Sequence, residues 1–235
     1  MALRISSGFA LVGAVAGTSF EEMVSTVNSQ GASWKAAVPT RFGSYDDVKM
    51  LCGTIMRGNE TFKEMDYAKT NDQQWNGIVP DSFDVRTAWP QCSSVSGHIR
   101  DQSSCGSCWA FGSTEAFNDR RCIATGDTTL MSVEDTTANC GFFSCLSMGC
   151  NGGQPGQAWQ WFKNTGVVTG GDYTDIGSGT TCGPYSLAPC AHHVAPSTEY
   201  PVCPSSEYST PSLSACSESS YSKAYSDDKQ KASAS

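Results

Sequence analysis

The chain has 235 residues and a formal net charge of −8, with 39% hydrophobic, 16% charged and 10% aromatic residues. This composition supports a packed core, which excludes a wholly disordered chain, and the acidic balance excludes a nucleic-acid-binding protein, because phosphate contacts need clustered Lys and Arg. No apolar run reaches the roughly 18 residues that span a bilayer, and the twelve Cys indicate an oxidising compartment.

The first 19 residues have the pattern of a secretory signal peptide. Arg4 precedes a short apolar stretch, residues 8–17, that contains several small side chains. The alternative is an apolar N-terminus with no targeting role. The sequon at Asn59 predicts a glycosylation site and, with the cysteine content, favours the secretory pathway, in a lysosome-like compartment or outside the cell.

The cysteines divide the chain into two regions. Residues 20–78 contain one Cys, whereas eleven lie between positions 92 and 216, which predicts a boundary near residue 78. A helix is predicted at the start of the first region, because apolar residues recur there with the helical period: Phe20, Met23, Val24 and Val27. The Ser-rich residues 205–235 are of low complexity, and their last nine show no apolar period.

Three helices are predicted in the cysteine-rich region. The first begins near Cys108 and has Arg120 and Arg121 in its last turn, where cations suit the helix dipole. The second begins at Ser132, with Asp135 three residues later in a capping-box-like pattern.

The third helix is predicted from a Pro near its start and a Gly at its end, Pro155 and Gly166. Its apolar stripe consists of Ala158, Trp161 and Phe162.

The segment around Cys108 carries the most informative motif. Residues 105–109 read Cys-Gly-Ser-Cys-Trp, and Gln102 lies upstream. The spacing of Cys105 and Cys108 is formally that of a redox dithiol or of half a zinc site, and a third interpretation places both in structural disulfides. A redox motif normally lies in a βαβ context with few other cysteines, whereas ten others surround this one.

This segment resembles the nucleophile segment of the papain-like cysteine proteases. The resemblance implies that Cys108 is the nucleophile and that Gln102 donates a hydrogen bond in the oxyanion hole. The chemistry agrees, because the start of a helix offers unpaired N–H groups and the positive end of the dipole, which favour the reactive thiolate. One oxyanion donor lowers the barrier by roughly 3–4 kcal/mol.

Further segments are similar to the cathepsin B-like members of this family. Residues 79–92 resemble the start of the mature enzyme, and parts of residues 20–60 resemble its propeptide, which blocks the cleft in the zymogen. Residues 150–153 match the Cys-Asn-Gly-Gly motif of the family, where a main chain without side chains lies along the bound peptide.

The resemblance also implies the substrate-binding residues. Gly152 and Gly153 would line the bound peptide, and Pro155 would shape the adjacent specificity pocket. His192 and His193 match the paired His of the occluding loop, here about residues 182–216, which hold the C-terminal carboxylate of a substrate.

The fold that the resemblance implies is an α+β, papain-like fold of two lobes, with the helical left lobe present in this chain and the β-rich right lobe mostly missing. The implied organisation is a signal peptide at 1–19, a propeptide at 20–78 and a peptidase domain at 79–235. The implied activity is peptide-bond hydrolysis as endopeptidase and dipeptidyl carboxypeptidase. Peptide or protein substrates and cystatin-like inhibitors are the implied partners, with no cofactor and no metal.

The cysteine pairing of the family uses ten of the twelve Cys. The implied disulfides are Cys92–Cys122, Cys105–Cys150, Cys140–Cys145, Cys182–Cys216 and Cys190–Cys203. Cys108 then stays unpaired, and Cys52 leaves with the propeptide. A further bridge that is common in the family has lost both Cys, and Asn139 and Leu213 stand at its two positions.

Two departures from the family pattern stand out. In papain-like proteases a catalytic His and an Asn follow the Cys by about 130–150 residues, which lies past Ser235. The three His of the chain are His98, His192 and His193, and none matches the catalytic one. The chain therefore reads as a partial sequence that is inactive, or nearly so, on its own.

The second departure is Ser103, where the family usually has Gly, which predicts a changed turn beside the oxyanion hole.

Two other classes of function stay open. One is a truncated pseudo-peptidase that acts as a binding module, and the other is a disulfide-rich structural or adhesion module in which Cys108 is bridged.

Overall fold

The computed structural model describes residues 19–31, 33–40, 44, 48, 52–54, 81–191, 195–204 and 212–233. The chain divides into two compact units, Met1–Lys49 and Met50–Ser235. Several predictions lie outside the described residues: residues 1–18 of the signal peptide, the sequon at Asn59, the boundary at residue 78, and His192 and His193.

The first unit contains the predicted N-terminal helix, α1, which spans Phe20–Ser29. The helix begins after Ser19 because the two residues of a capping box satisfy each other's backbone N–H groups. The Ser19 hydroxyl accepts from the Glu22 N–H at 3.3 Å, and the Glu22 carboxylate accepts from the Ser19 N–H at 3.1 Å.

The second unit is helical in the part of the chain that the structure describes. Its helices are α2 (Val85–Ala88), α3 (Ser93–Ser96), α4 (Cys108–Thr125), α5 (Val133–Asn139), α6 (Phe142–Cys145), α7 (Pro155–Asn164) and α8 (Tyr225–Asp228). Short 3₁₀ turns lie at Pro90–Cys92, Gly149–Asn151 and Tyr173–Asp175. Among the described residues β pairing is limited to three isolated bridges, Thr54 with Gly153, Met131 with Thr169, and Val167 with Gln230. The helical character agrees with a helical lobe, and the β-rich lobe stays a prediction.

The core of this unit lies between α4 and α7. The predicted stripe of α7 is confirmed, since Ala158, Trp161 and Phe162 are all buried. Phe162 stacks on Phe117 of α4 at 5.2 Å between ring centroids. Pro155 occupies the first turn of α7, as predicted.

No helix in the described ranges is long and apolar enough to cross a bilayer.

The end of α4 corrects one prediction. Arg120 and Arg121 do not lie in the last turn, because the helix continues to Thr125. Its end is set by Gly126, which takes the left-handed conformation at φ 77° and donates its N–H to the Cys122 carbonyl at 2.7 Å. The buried disulfide at Cys122 keeps the additional turn against the core.

The start of α5 follows the prediction only in part. The Ser132 hydroxyl caps the helix by accepting from the Asp135 N–H at 2.9 Å. The Asp135 carboxylate does not complete a capping box, because it is fully buried and accepts from the Val168 N–H at 3.0 Å and from Lys229 Nζ at 2.7 Å.

The C-terminal residues 221–233 pack on this lobe although their sequence has no apolar period. Val167 and Gln230 exchange both backbone hydrogen bonds, at 2.8 and 2.9 Å. Asp228 is fully buried and accepts from the N–H and the hydroxyl of Thr169, both at 2.7 Å. Buried polar contacts, which hydrophobic periodicity cannot detect, therefore fix this segment.

Five disulfides join the cysteine pairs that the family resemblance implies: Cys92–Cys122, Cys105–Cys150, Cys140–Cys145, Cys182–Cys216 and Cys190–Cys203. The two positions of the lost bridge also meet. The Asn139 amide donates to the Leu213 carbonyl at 2.9 Å, and its oxygen accepts from the Leu213 N–H at 3.2 Å. Two hydrogen bonds thus connect the two positions at which the resemblance implies a lost disulfide.

Candidate active site

The site is built on the N-terminus of α4, whose first residue is Cys108. Cys108 is half-buried, and its thiol is free. The turn before it is held by the Cys105–Cys150 disulfide and by the Gly106 N–H, which donates to the Cys150 carbonyl at 2.8 Å. Because Cys105 is bridged to Cys150, a redox pair with Cys108 is absent.

The main chain of Gly53 lies directly on the Cys108 sulfur. The Gly53 N–H donates to Cys108 Sγ at 2.9 Å, and the Gly53 carbonyl accepts from the Gly153 N–H at 2.8 Å. A Cβ at Gly53 would lie 1.8 Å from the Gly106 carbonyl oxygen, so only glycine allows this approach. The segment 52–54 therefore occupies the space in front of the thiol as a pairing strand would.

Gly153 needs the absence of a side chain for a second reason. A Cβ there would lie 2.4 Å from the ring of Trp109, which is buried at the start of α4. Its neighbour Gly152 has φ 106°, a conformation that L side chains rarely adopt. The two glycines thus bring a bare main chain up to Trp109 and to the 52–54 segment, and their alignment along a bound peptide stays a prediction.

The turn before Cys105, which we call the oxyanion turn (residues 101–104), contains Gln102. Its Nε2 donates to the Cys105 carbonyl at 2.7 Å. The Ser103 N–H donates to the Asp101 carboxylate at 2.6 Å. Ser103 has φ 57°, so this turn lies in the left-handed region that glycine favours although the residue carries a side chain.

Tyr185 braces this turn from the other side. Its hydroxyl donates to the Gln102 carbonyl at 3.0 Å and lies 3.1 Å from the hydroxyl of Ser107, the residue before α4. The Tyr185 ring is buried and packs edge-on against Phe111 at 5.0 Å. Burial raises the pKa of Tyr185 well above its ordinary value, so its hydroxyl stays a hydrogen-bond donor.

Glu134 anchors the residue after Tyr185. One carboxylate oxygen accepts from the N–H and the hydroxyl of Ser186, both at 3.0 Å. The other oxygen is buried and has no hydrogen-bond partner among the described residues. Burial, with a smaller contribution from the nearby Asp135 charge, raises the pKa of Glu134 to about 7 against the Ser186 hydrogen bonds, which lower it.

Of the three His, His98 lies within the described ranges, and its ring contacts Asp172. His98 Nε2 lies 2.6 Å from the Asp172 carboxylate, which also accepts from the buried Arg100 guanidinium at 2.5 Å. Arg100 reaches Glu115 as well, at 3.1 Å, so this network ties the residues before the oxyanion turn to α4. Within the described ranges no three His, Cys, Asp or Glu side chains form a metal site.

The structure places Gln102, Cys108, Gly152 and Gly153 on neighbouring segments that the Cys105–Cys150 disulfide joins, and their catalytic and binding roles stay predictions. Three further contributors are not apparent from the motifs. Gly53 lies in the propeptide-like segment, where its glycine is the available signal. Glu134 and Tyr185 carried no signal, because a Glu in the first turn of a helix is typical of an exposed position.

Residues 79–234 match the sequence pattern of the family described as "Papain family cysteine protease". The chain belongs to this family. The match begins just before α2 and extends through α8, and it therefore includes the oxyanion turn and the thiol at the start of α4.

The relatives that this papain-family chain resembles carry cathepsin B-like names. It is 37% identical over 212 residues to a cathepsin B-like cysteine proteinase of Schistosoma japonicum, across 89% of this chain and 59% of that protein. It is 46% identical over 157 residues to cathepsin B-like cysteine proteinase 5 of Caenorhabditis elegans, across 64% of this chain and 44% of that protein. The chain spans about half the length of these relatives.

Among solved structures, the chain resembles procathepsin B S9 from Trypanosoma congolense, with 26% identity and a TM-score of 0.46. The likeness covers 63% of this chain and 49% of the trypanosome chain.

Proposed function

We propose that the chain is the precursor of a cathepsin B-like cysteine peptidase in which Cys108 is the nucleophile. The observation that carries the proposal is the hydrogen bond from the Gly53 N–H to Cys108 Sγ at 2.9 Å. A peptide main chain already lies against the sulfur there, paired with Gly153 as a strand. Residues 20–78 would be the propeptide that covers the site.

The chemistry follows from the groups at the start of α4. The Cys108 thiolate attacks the carbonyl carbon of a peptide bond, and the negative charge moves to the carbonyl oxygen. The Gln102 amide, which has a second N–H beyond the one given to Cys105, and the Cys108 N–H would bind that oxygen. Loss of the amine with a proton leaves an acyl-thioenzyme, which water hydrolyses.

Gly152, Gly153 and Pro155 would form the wall along which the substrate lies. The Gly153 N–H, which donates to Gly53, would donate to a substrate carbonyl once the 52–54 segment has left. His192 and His193, which follow Cys190 in the sequence, would hold the C-terminal carboxylate of a substrate and add dipeptidyl carboxypeptidase to endopeptidase activity.

Amine departure needs a general acid, which in this family is an imidazolium beside the thiolate. None of the three His of the chain has the family spacing from Cys108. We therefore propose that the 235-residue chain alone has little or no turnover, and that a two-lobed enzyme with a β-rich second lobe carries the activity. Its substrates would be peptides or proteins, and cystatin-like proteins its inhibitors, in the secretory pathway or a lysosome-like compartment.

The experiment is covalent labelling of the folded chain with a peptidyl epoxide. We expect one adduct after long incubation, which peptide mapping places on Cys108, and no hydrolysis of a dipeptide–coumarin substrate. Cys108→Ala removes the adduct, whereas Cys52→Ser, the matched change at the other Cys outside the disulfides, retains it. A chain that folds and is not labelled at Cys108 contradicts the proposal.

The second candidate is a binding module without turnover. The hydrogen bonds between Gly53, Cys108 and Gly153 favour it, because a peptide main chain of the same protein already lies at the site without any chemistry. Labelling at Cys108 without hydrolysis, in a chain that includes both lobes, would select this function over peptidase activity.

A further inference from the structure

Ser103 lies at the junction between the oxyanion turn and a neighbouring loop. The residue is fully buried and has φ 57°, a conformation that costs free energy for any residue with a side chain. Asp101 holds the backbone there by accepting the Ser103 N–H at 2.6 Å. A glycine would fit this backbone without strain, so the serine hydroxyl requires an explanation of its own.

The hydroxyl makes a contact that glycine cannot make. Ser103 Oγ donates to the carbonyl oxygen of Ala188 at 2.6 Å and lies 3.8 Å from the sulfur of Cys190. Cys190 pairs with Cys203, and this disulfide closes a loop between the two residues. The serine therefore ties the oxyanion turn to the chain where that loop begins.

Two further contacts hold the chain that leads into the loop. Tyr185 donates to the Gln102 carbonyl, and Glu134 accepts from Ser186, and both contacts lie before Ala188 in the chain. Within the loop, the Ala191 N–H donates to the Pro201 carbonyl at 2.8 Å, which pairs its two arms. The Ser103 hydroxyl is thus a direct contact between the turn and the residues at which the paired arms begin.

We propose that Ser103 is a positioning residue that couples the 190–203 loop to the oxyanion turn through its hydroxyl. The inference rests on the proposed function, in which Gln102, next to Ser103, binds the oxyanion and the loop binds the substrate carboxylate. Because coupling between two sites is reciprocal, a substrate carboxylate that fixes the loop also fixes the turn that binds the oxyanion.

The test uses the full chain and a protease that reports on the loop. Glu199 is exposed in the loop, so endoproteinase Glu-C can cut after it when the loop detaches from its base. We expect Ser103→Ala and Ser103→Gly to raise the rate of cleavage after Glu199 by roughly fivefold, the effect of losing one buried hydrogen bond. Ser104→Ala, the change at the partly exposed neighbouring serine, is the matched control and should leave the rate unchanged.

The glycine variant separates loop positioning from general stability. Ser103→Gly relieves the left-handed strain, so its melting temperature should equal or exceed that of the unchanged chain while its loop is cut faster. Cleavage within twofold of the unchanged chain in both Ser103 variants would overturn the proposal. So would faster cleavage that is matched by a lower melting temperature in Ser103→Gly, because the role would then be structural. Labelling of Cys108 by the epoxide is a separate readout, and its failure would contradict only the proposed function.

Discussion

Single glycines determine how closely the main chain can approach Cys108. A Cβ at Gly53 would collide with a backbone carbonyl, and a Cβ at Gly153 would collide with an indole ring. Both of these groups are rigid. Side chains at these positions would have to move the segments that carry them. The identity of these residues is therefore a steric requirement, and the consequences of substitution can be predicted from the distances.

Gly153→Ala is expected to destabilise the fold. The new Cβ would lie 2.4 Å from the Trp109 ring, and overpacking of this kind costs about 2–3 kcal/mol. The matched control is Gly156→Ala in α7, where no atom lies within 4 Å and Ala stabilises a helix by up to about 1 kcal/mol relative to Gly. Urea unfolding measures both, and equal stability of the two variants would contradict the close packing at Gly153.

Glu134 is expected to make stability depend on pH. Its pKa is about 7 in the folded chain, against 4.5 for an ordinary Glu, so the folded chain binds the additional proton between these values. The stabilisation is fully present below about pH 4.5 and is lost as the pH rises through 7. Glu134→Gln, which cannot ionise, should therefore gain about 3 kcal/mol relative to the unchanged chain between pH 4.5 and 8.

Urea unfolding of both proteins across this pH range measures the difference. A pH-independent difference between Glu134→Gln and the unchanged chain would show that the pKa of Glu134 is the same in the folded and unfolded states, which would contradict this prediction.

At the scale of elements, α5 and the C-terminal segment stabilise each other through buried charge. Lys229 Nζ lies 2.7 Å from the Asp135 carboxylate and 4.7 Å from the centre of the Trp161 ring. Burial lowers the pKa of Lys229, while the Asp135 charge opposes that shift. The packing of the C-terminal segment therefore depends on the Lys229–Asp135 pair, because removal of either charge alone leaves the other buried without its partner.

Lys229→Met is expected to destabilise the lobe by about 3–5 kcal/mol, because it leaves the fully buried Asp135 carboxylate without its cation. The matched control is Lys231→Met, since Lys231 is exposed and donates only to the Asn164 carbonyl at 2.8 Å. It should cost less than about 1 kcal/mol. Chemical unfolding compares the two, and a similar loss in both variants would contradict a structural role for the buried pair.

The elements themselves were predictable where hydrophobic periodicity and caps agree. The apolar stripe and proline of α7 and the Ser132 cap of α5 give the positions of both helices. The end of α4 was not predictable from its arginines, because the left-handed Gly126 sets it instead. Residues 221–233 were missed because polar atoms hold them, and a pattern of apolar residues carries no information about buried Asp228.

The residues of the candidate site could be predicted where they lie within a short sequence motif. Residues 102–109 and 150–153 contain their own motifs, and the disulfide between Cys105 and Cys150 brings them together. The contacts of Ser103 with Ala188 and of Tyr185 with Gln102 join positions about eighty residues apart in the chain. Such contacts depend on the tertiary packing, which a single sequence does not encode in any local pattern.

At the scale of the whole molecule, the thiol and the segment that covers it belong to one chain. Residues 52–54 lie in the second unit with α4, although they come before the family match that begins at residue 79. The hydrogen bond from the Gly53 N–H to the sulfur and the strand-like pairing with Gly153 hold this segment over the thiol. Displacement of this segment should therefore expose a reactive thiol.

The most direct measurement is the rate at which iodoacetamide alkylates Cys108 in the unchanged chain and in Gly53→Ala. A Cβ at Gly53 would lie 1.8 Å from the Gly106 carbonyl oxygen, so the substitution should force the segment off the sulfur and raise the rate at least tenfold. Gly156→Ala is the control and should alkylate at the unchanged rate. Equal rates in all three chains, or a Cys108 that alkylates in none of them, would contradict the account.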